Sequence, residues 1–336
     1  MDTGKVLYAA ADIGGTSIKL GLSDVSGRLL DKWEIRTDTS DGGRNILPDI
    51  CRSLSGRTGG SLLGGVGMGI PGPVSEDGVA ASCVNLGWKE PTDLPAAVRE
   101  LLPGVPVLCF GNDATSAAAG ELWMGAGKQY DSAYLITLGT GVGGGYAERG
   151  NVICGAHGAA GEIGHIPLNI EESVPCSCGR IGCLEQYASA NGMVRLALNL
   201  LEIRSGRRTE NSLHIERLLR ISIPEGPTGL DSMEVFSAKD ICDLAREGDP
   251  FCLYVTEILG ECLGLAMSYI SCTIDPEVFL IGGGLSRAGS ILLDAIRKGY
   301  AKYAIPVCRH TAVTGAALGN DAGIYGCIRM VLDAVQ

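Results

Sequence analysis

Positive charge is scarce in this chain. Its 336 residues carry 27 Lys and Arg against 38 Asp and Glu, a net charge of −11. Nucleic-acid surfaces need clustered Lys and Arg, so this balance argues against such a partner. Long apolar runs are missing as well. The run at residues 6–11 is too short for the core of a signal peptide, and no segment approaches the ~20 apolar residues of a membrane span. There is no Gly-x-x-x-x-Gly-Lys-Ser/Thr phosphate loop. Nor does any Gly-x-Gly-x-x-Gly open a helix after a strand, with an acidic residue ~20 positions on. Gly141-Val-Gly143-Gly-Gly-Tyr146 looks similar, but the residues after it read as a strand ending in a turn. The commonest nucleotide loops are therefore excluded. A hydrophobic content of 46% can still bury a sizeable core, and the length suggests two domains of a cytosolic enzyme.

What is present in quantity is cysteine and glycine, 13 and 50 residues respectively. The cysteine count is odd and the chain is too large to need disulfide staples, so the thiols are expected to be reduced. Three of them, Cys176, Cys178 and Cys183, fall in a Cys-x-Cys-Gly-x-x-Gly-Cys pattern, with His165 eleven positions before the first. Three thiolates and one imidazole suit a closed tetrahedral Zn²⁺ site with no place for a reactive water. Gly179 and Gly182 let the backbone turn tightly enough for the sulfurs to converge. Glu162 and Glu185 flank the knot, so the metal would be scaffolding that fixes two carboxylates.

Glycines also end two strands. Residues 6–11 read as a buried strand that runs into Asp12-Ile-Gly-Gly-Thr16, followed by strands over 17–23 and 28–35. The arrangement recurs where a strand over 133–138 runs into Gly139-Thr-Gly-Val-Gly-Gly-Gly145. Two alike suggest an internal duplication, and facing hairpins of this kind can hold a polyphosphate through backbone N–H groups. Between them, a strand over 105–110 delivers Asn112-Asp113 at its carboxyl end, before an alanine-rich helix. That is where α/β folds place ligand chemistry. Asp113 suits a general base for a sugar hydroxyl, while the plainer reading makes it a helix cap.

Farther on, residues 186–203 read as one helix and 213–219 as a helical stretch, with helices over 238–247 and 251–271. Cys242, Cys252, Cys262 and Cys272 read as core thiols. A strand over 278–281 runs into Gly282-Gly-Gly-Leu-Ser286, whose glycines allow close approach by a planar group such as adenine. A last helix reaches about residue 332.

In their order, Asp12-x-Gly-Gly-Thr16, Asn112-Asp113, Leu138-Gly-Thr-Gly-Val-Gly-Gly-Gly145, Glu162-Ile-Gly-His165, the Cys176–Cys183 knot with Glu185, and Ile281-Gly-Gly-Gly284 resemble the ROK family over nearly the whole chain. That family comprises bacterial sugar kinases and sugar-responsive repressors, and Asn85-Leu-Gly-Trp88 resembles its glucokinases. The resemblance implies a duplicated actin-like ATPase (ribonuclease H-like) fold, with two α/β domains around a cleft. Residues 1–113 with a returning 319–336 would form the smaller domain, and 114–318 the larger one with the zinc site.

Roles are implied by the same resemblance. Asp113 would take the proton from the sugar 6-hydroxyl. Asn112, Glu162, His165, Glu185 and Asn85 would hydrogen-bond the other hydroxyls, His165 using one ring nitrogen for the sugar and one for zinc. Asp12 would help hold Mg²⁺. Gly14, Gly15, Thr16, Gly139, Thr140 and Gly141 would cradle the phosphates of ATP, and Gly282, Gly283 and Gly284 would lie against the adenosine. Thr115-Ser116 stands where the family more often has Asn-Ala. The repressors carry a helix-turn-helix region before the first hairpin, and with Asp12 so near the start of the sequence none is expected here. Glucose is the expected substrate, with mannose, N-acetylmannosamine, allose and fructose open, as are polyphosphate as donor and a homodimer or homotetramer as the assembly.

Overall fold

The computed structural model describes residues 6–169, 171–207 and 223–335. The expected helix over 213–219 lies outside them. Contacts divide the chain into two compact units, Met1–Leu135 with Gly144–Gly161 and Ala316–Gln336, and Ile136–Gly143 with Glu162–Gly315.

The first unit is built on a five-stranded sheet of order β3-β2-β1-β4-β7. Its strands are β1 (Val6–Ile13), β2 (Ser17–Ser23), β3 (Leu29–Arg36), β4 (Leu62–Ile70) and β7 (Val107–Asn112). A two-stranded pair, β5 (Val79–Ala80) and β6 (Thr92–Asp93), lies between β4 and β7 in the chain. Strands β1, β2 and β3 form an antiparallel meander, and β1, β4 and β7 run parallel. The near-continuous apolar stretch in β1 reflects burial on both faces. Leu7, Ala9, Ala11 and Ile13 pack with α1 (Ile46–Arg57) and α2 (Leu94–Leu101). Tyr8 and Ala10 face Ile324, Cys327, Ile328 and Val331 of the last helix, α9 (Ala322–Val335).

Helix α9 also crosses α3 (Asp113–Met124), which begins at the end of β7. A Cβ on Gly326 would lie 1.7 Å from the Ser116 carbonyl oxygen, and one on Gly120 would lie 2.1 Å from that of Ala322. Only glycine permits this approach. Replacing Gly326 by Ala is expected to cost about 1–3 kcal/mol through forced displacement, read as a lower urea midpoint. An unchanged midpoint would show that the helices separate freely. The far end of α3 is fixed by Glu121, which is fully buried. Its carboxylate accepts N–H bonds from Ala126 at 2.9 Å, Ala317 at 3.0 Å and Leu318 at 2.6 Å.

A second five-stranded sheet has the order β10-β9-β8-β11-β12. Its strands are β8 (Ser132–Leu138), β9 (Val142–Glu148), β10 (Asn151–Ile153), β11 (Val278–Gly282) and β12 (Ala312–Gly315). Each sheet thus places three successive strands at one edge and two later ones at the other. The duplication expected from the two hairpins is present, in the mixed α/β plan of actin-like ATPases.

The second unit holds the remaining helices, and one departs from the sequence reading. Residues 186–203 are not continuous: α4 (Glu185–Ala188) stops at Ser189, and α5 (Ala190–Arg204) starts afresh. Ser189 is extended (φ −88°, ψ 173°) and its hydroxyl accepts the Gly192 N–H, an N-cap that outweighs the run of apolar positions. Helices α6 (Ala238–Arg246), α7 (Pro250–Thr273) and α8 (Ser290–Tyr303) come next. Among the described residues α7 is the one helix long and apolar enough to cross a membrane, which amends the sequence expectation. Of its most apolar window 72% is buried, so its composition reflects core packing. Cys242, Cys252 and Cys262 are buried as expected, but Cys272 is exposed in the last turn of α7, where the helix leaves the core.

Candidate active site and metal knot

In the first unit, the carboxyl edge of the sheet gathers the candidate residues. Asp12 pairs in register with Gly69 of β4, Gly69 with Gly111 of β7, and Ile70 with Asn112. Asp12 and Asn112 thus stand two strands apart, roughly 10 Å between backbones at the usual strand spacing. Burial raises the Asp12 carboxyl above its ordinary value, and the Lys19 ammonium 3.5 Å away works against this. Asp12 fits against α9 because residue 323 is glycine, where a Cβ would lie 2.5 Å from the Asp12 Cγ.

At the start of α3 the capping side chain is that of Asn112. Its Oδ1 accepts the Thr115 N–H at 3.0 Å and the Thr115 hydroxyl at 3.2 Å. Its Nδ2 donates to the Gly72 carbonyl at 3.2 Å, which leaves one N–H for a ligand. Thr115 and Ser116, the departure from the family pattern, reinforce this cap, Ser116 by donating to the Asn112 carbonyl at 2.8 Å. Asp113 is the first helical residue, with Oδ1 on the Ala114 N–H at 2.8 Å.

The first hairpin adjoins this edge. Gly14 N–H donates to Ser17 O at 3.0 Å. Thr37, which sequence reasoning missed, binds it twice, its hydroxyl on Gly14 O at 2.6 Å and its N–H on Thr16 O at 3.0 Å. A Cβ on Gly15 would stand 3.3 Å from Asn85 O, so the exposed Asn85 turn lies beside the hairpin. No local signal marks Thr37, because its partners lie more than twenty residues away.

The second unit holds the cysteine knot. The ligand atoms of His165, Cys176, Cys178 and Cys183 all lie within 4.8 Å of one another. Cys178 and Cys183 sulfurs are 3.7 Å apart, and the Cys176 sulfur is 3.7 Å from His165 Nδ1. Zn–S bonds of ~2.3 Å in a tetrahedron require ~3.8 Å between sulfurs, so the donor set fits zinc. Burial and the neighbouring Cys178 and Cys176 sulfurs push the Cys183 thiol up to about 12. A metal would displace that proton. Gly182 is obligatory, with φ +68° and a Cβ position 1.6 Å from Asn169 O.

Around the knot, His165 Nε2 lies 3.8 Å from Glu162 Oε2, which leaves Nδ1 for the metal. Glu185 opens α4 and accepts the Ser177 hydroxyl at 3.2 Å and the Val142 N–H at 3.2 Å. Beneath, the buried Glu172 accepts Tyr187 OH at 2.7 Å and Arg195 Nη2 at 3.0 Å. Burial opposes the Glu172 carboxylate, but Tyr187, the Val174 N–H and Arg195 outweigh it and lower its pKa.

Beside the second hairpin a cavity of about 780 Å³ is lined by Gly139, Thr140, Gly284, Lys239, Arg246 and Arg287 among others. Of the three expected adenosine glycines, Gly284 lines it. Gly282 ends β11, and Gly283 packs on Leu138, where a Cβ would lie 2.4 Å from the carbonyl oxygen. Lys239 and Arg246 share the Asp243 carboxylate, at 2.6 Å and 2.7 Å. Their spacing of seven on α6 was the signal available for them in the sequence.

Comparison with known proteins identifies the family. The pattern described as "ROK family" matches residues 8–334. A glucokinase of Halalkalibacterium halodurans is 40% identical over 327 residues, 95% of this chain and 93% of that protein. A glucokinase of Thermotoga maritima is 31% identical over 98% of this chain and 99% of its own length. Among solved structures, a ROK family glucokinase from Streptomyces griseus in complex with glucose and AMPPNP is 33% identical. It aligns with a TM-score of 0.71 over 96% of this chain and 98% of its own.

Proposed function

The chain belongs to the ROK family, and from that membership we infer that it is a cytoplasmic, ATP-dependent glucokinase that uses Asp113 as its general base. The observation that carries the chemistry is the shared sheet edge, where the end of β1 with Asp12 and the Gly14–Thr16 hairpin, and the end of β7 with Asn112-Asp113, flank the parallel strand β4. Phosphoryl transfer needs positioning, charge neutralisation and one base, and little else from the protein.

Asp113 accepts the proton of the glucose 6-hydroxyl as that oxygen attacks the γ-phosphorus, whose bond to the β–γ bridging oxygen breaks and releases ADP. Asn112 offers its remaining N–H to a neighbouring hydroxyl, and Asn85 contributes from the turn beside the hairpin. Glu162, His165 and Glu185 bind further hydroxyls. The hairpin N–H groups of Gly15, Thr16, Thr140 and Gly141 receive phosphate oxygens, since those of Gly14 and Gly139 already donate to Ser17 O and Gly141 O at 3.0 Å, and the cavity beside Gly284 takes the nucleoside. Mg²⁺ held near Asp12 would neutralise the polyphosphate charge. Zn²⁺ on His165, Cys176, Cys178 and Cys183 would have all four positions filled and only a structural part.

A panel of glucose, mannose, allose, fructose, N-acetylglucosamine and N-acetylmannosamine tests the reading, with Mg-ATP or polyphosphate as donor and ADP or sugar phosphate as readout. Glucose with Mg-ATP is expected to give the highest kcat/KM. A preference for an N-acetylated sugar, or for polyphosphate, would move the protein to another kinase of the family.

A further inference from the structure

The corner between α4 and α5 grips the second phosphate hairpin at both ends. The Ala190 N–H, first in α5, donates to the Gly139 carbonyl at 2.8 Å. The Glu185 carboxylate, first in α4, accepts the Val142 N–H at 3.2 Å. Thr140 and Gly141 are held between these two points, and Thr140 lines the 780 Å³ cavity proposed above for the nucleoside. The carboxylate lies flat against the turn, for a Cβ on Gly141 would meet Glu185 Oε2 at 2.1 Å. Its other oxygen takes the hydroxyl of Ser177, which stands between two of the knot's cysteines. The break at Ser189 is what aims the Ala190 N–H at the hairpin, since a continuous helix would spend that N–H internally.

We propose that Glu185 is a positioning residue for the phosphate hairpin: it transmits the order of the cysteine knot through the Val142 N–H to Thr140 and Gly141, and so supports nucleotide binding even when no sugar is present. This rests on the glucokinase reading and adds to Glu185 a role that a sugar ligand would not have. A residue that only binds sugar has no effect on nucleotide affinity in the sugar-free enzyme. A negative charge beside a phosphate cradle is unfavourable in itself, so the placement is explained by the hydrogen bond rather than by the charge.

Calorimetric titration of the sugar-free, full-length protein with Mg-AMPPNP tests this on wild type, Glu185→Ala, Glu185→Gln and Glu185→Asp. The Ala variant loses the acceptor and is expected to bind about two- to tenfold more weakly, the usual worth of a hydrogen bond. The Gln variant keeps an acceptor oxygen without the charge, and should bind as well as wild type or better. Its glucose KM should nevertheless stay raised. The Asp variant, one methylene too short to reach Val142, should behave like Ala and serves if Ala does not fold. Ala and Asp variants that bind Mg-AMPPNP like wild type overturn the proposal. Wild-type protein that is inactive on glucose, yet shows the Ala loss and Gln recovery, overturns the substrate reading and leaves the positioning role standing.

Discussion

Asp113→Asn is expected to lower kcat for glucose phosphorylation by about 10²–10⁴-fold, the usual worth of a general base. The glucose KM should stay within a few-fold and the melting temperature should not move. The structure gives reasons for both. Asn at 113 still offers an Oδ1 to the Ala114 N–H, the contact that Asp113 makes at 2.8 Å. The capping of α3 rests on Asn112 and not on Asp113. The complementary change, Asn112→Ala, should therefore cost about 0.5–2 kcal/mol of stability as a lost cap. Near-normal turnover in Asp113→Asn would return the residue to a structural part in the first turn of α3.

Loss of zinc is the second large effect expected. Cys178 is the exposed cysteine of the cluster and its sulfur stands 3.7 Å from that of Cys183. Cys178→Ala leaves three ligands, and the purified variant should contain no zinc by mass spectrometry. The loop over 166–184 is held by a few backbone bonds, such as Leu168 N–H to Gly182 O at 2.8 Å and Cys176 N–H to Arg180 O at 2.7 Å. With the metal gone, Glu162, His165 and Glu185 lose their fixed positions, and misplacement of about 1 Å can cost 10²-fold in rate. A drop of about that size in kcat/KM for glucose is expected, with lower thermal stability. Nucleotide affinity should fall too, because Glu185 joins the knot to the hairpin. Zinc-free wild type at full rate would contradict this.

Which parts were legible in the sequence depends on distance along the chain. The knot was, because its three cysteines and two glycines lie within eight residues and the spacing itself dictates a turn. Strand ends were legible at Asp12, Asn112 and Gly139, where an apolar run meets glycine or a short polar pair. The grip of Glu185 on Val142 spans 43 residues and had no local signature. Thr37 on Gly14 spans 23 and was likewise hidden. The break at Ser189 was masked by an apolar pattern that continues across it, since a single serine hydroxyl on the Gly192 N–H decides it. The sequence presents Asn112 and Asp113 as a pair, and only the fold shows that Asn112 is the cap.

The most direct measurement identifies the product. Purified protein incubated with Mg-ATP and uniformly ¹³C-labelled glucose is monitored by ³¹P and ¹³C NMR, with ADP appearance measured in parallel. Transfer directed by Asp113 to the 6-hydroxyl predicts one sugar product, phosphorylated at carbon 6 and formed in equal amount with ADP. Phosphate on another carbon, or ADP formed without any sugar phosphate, would contradict the account.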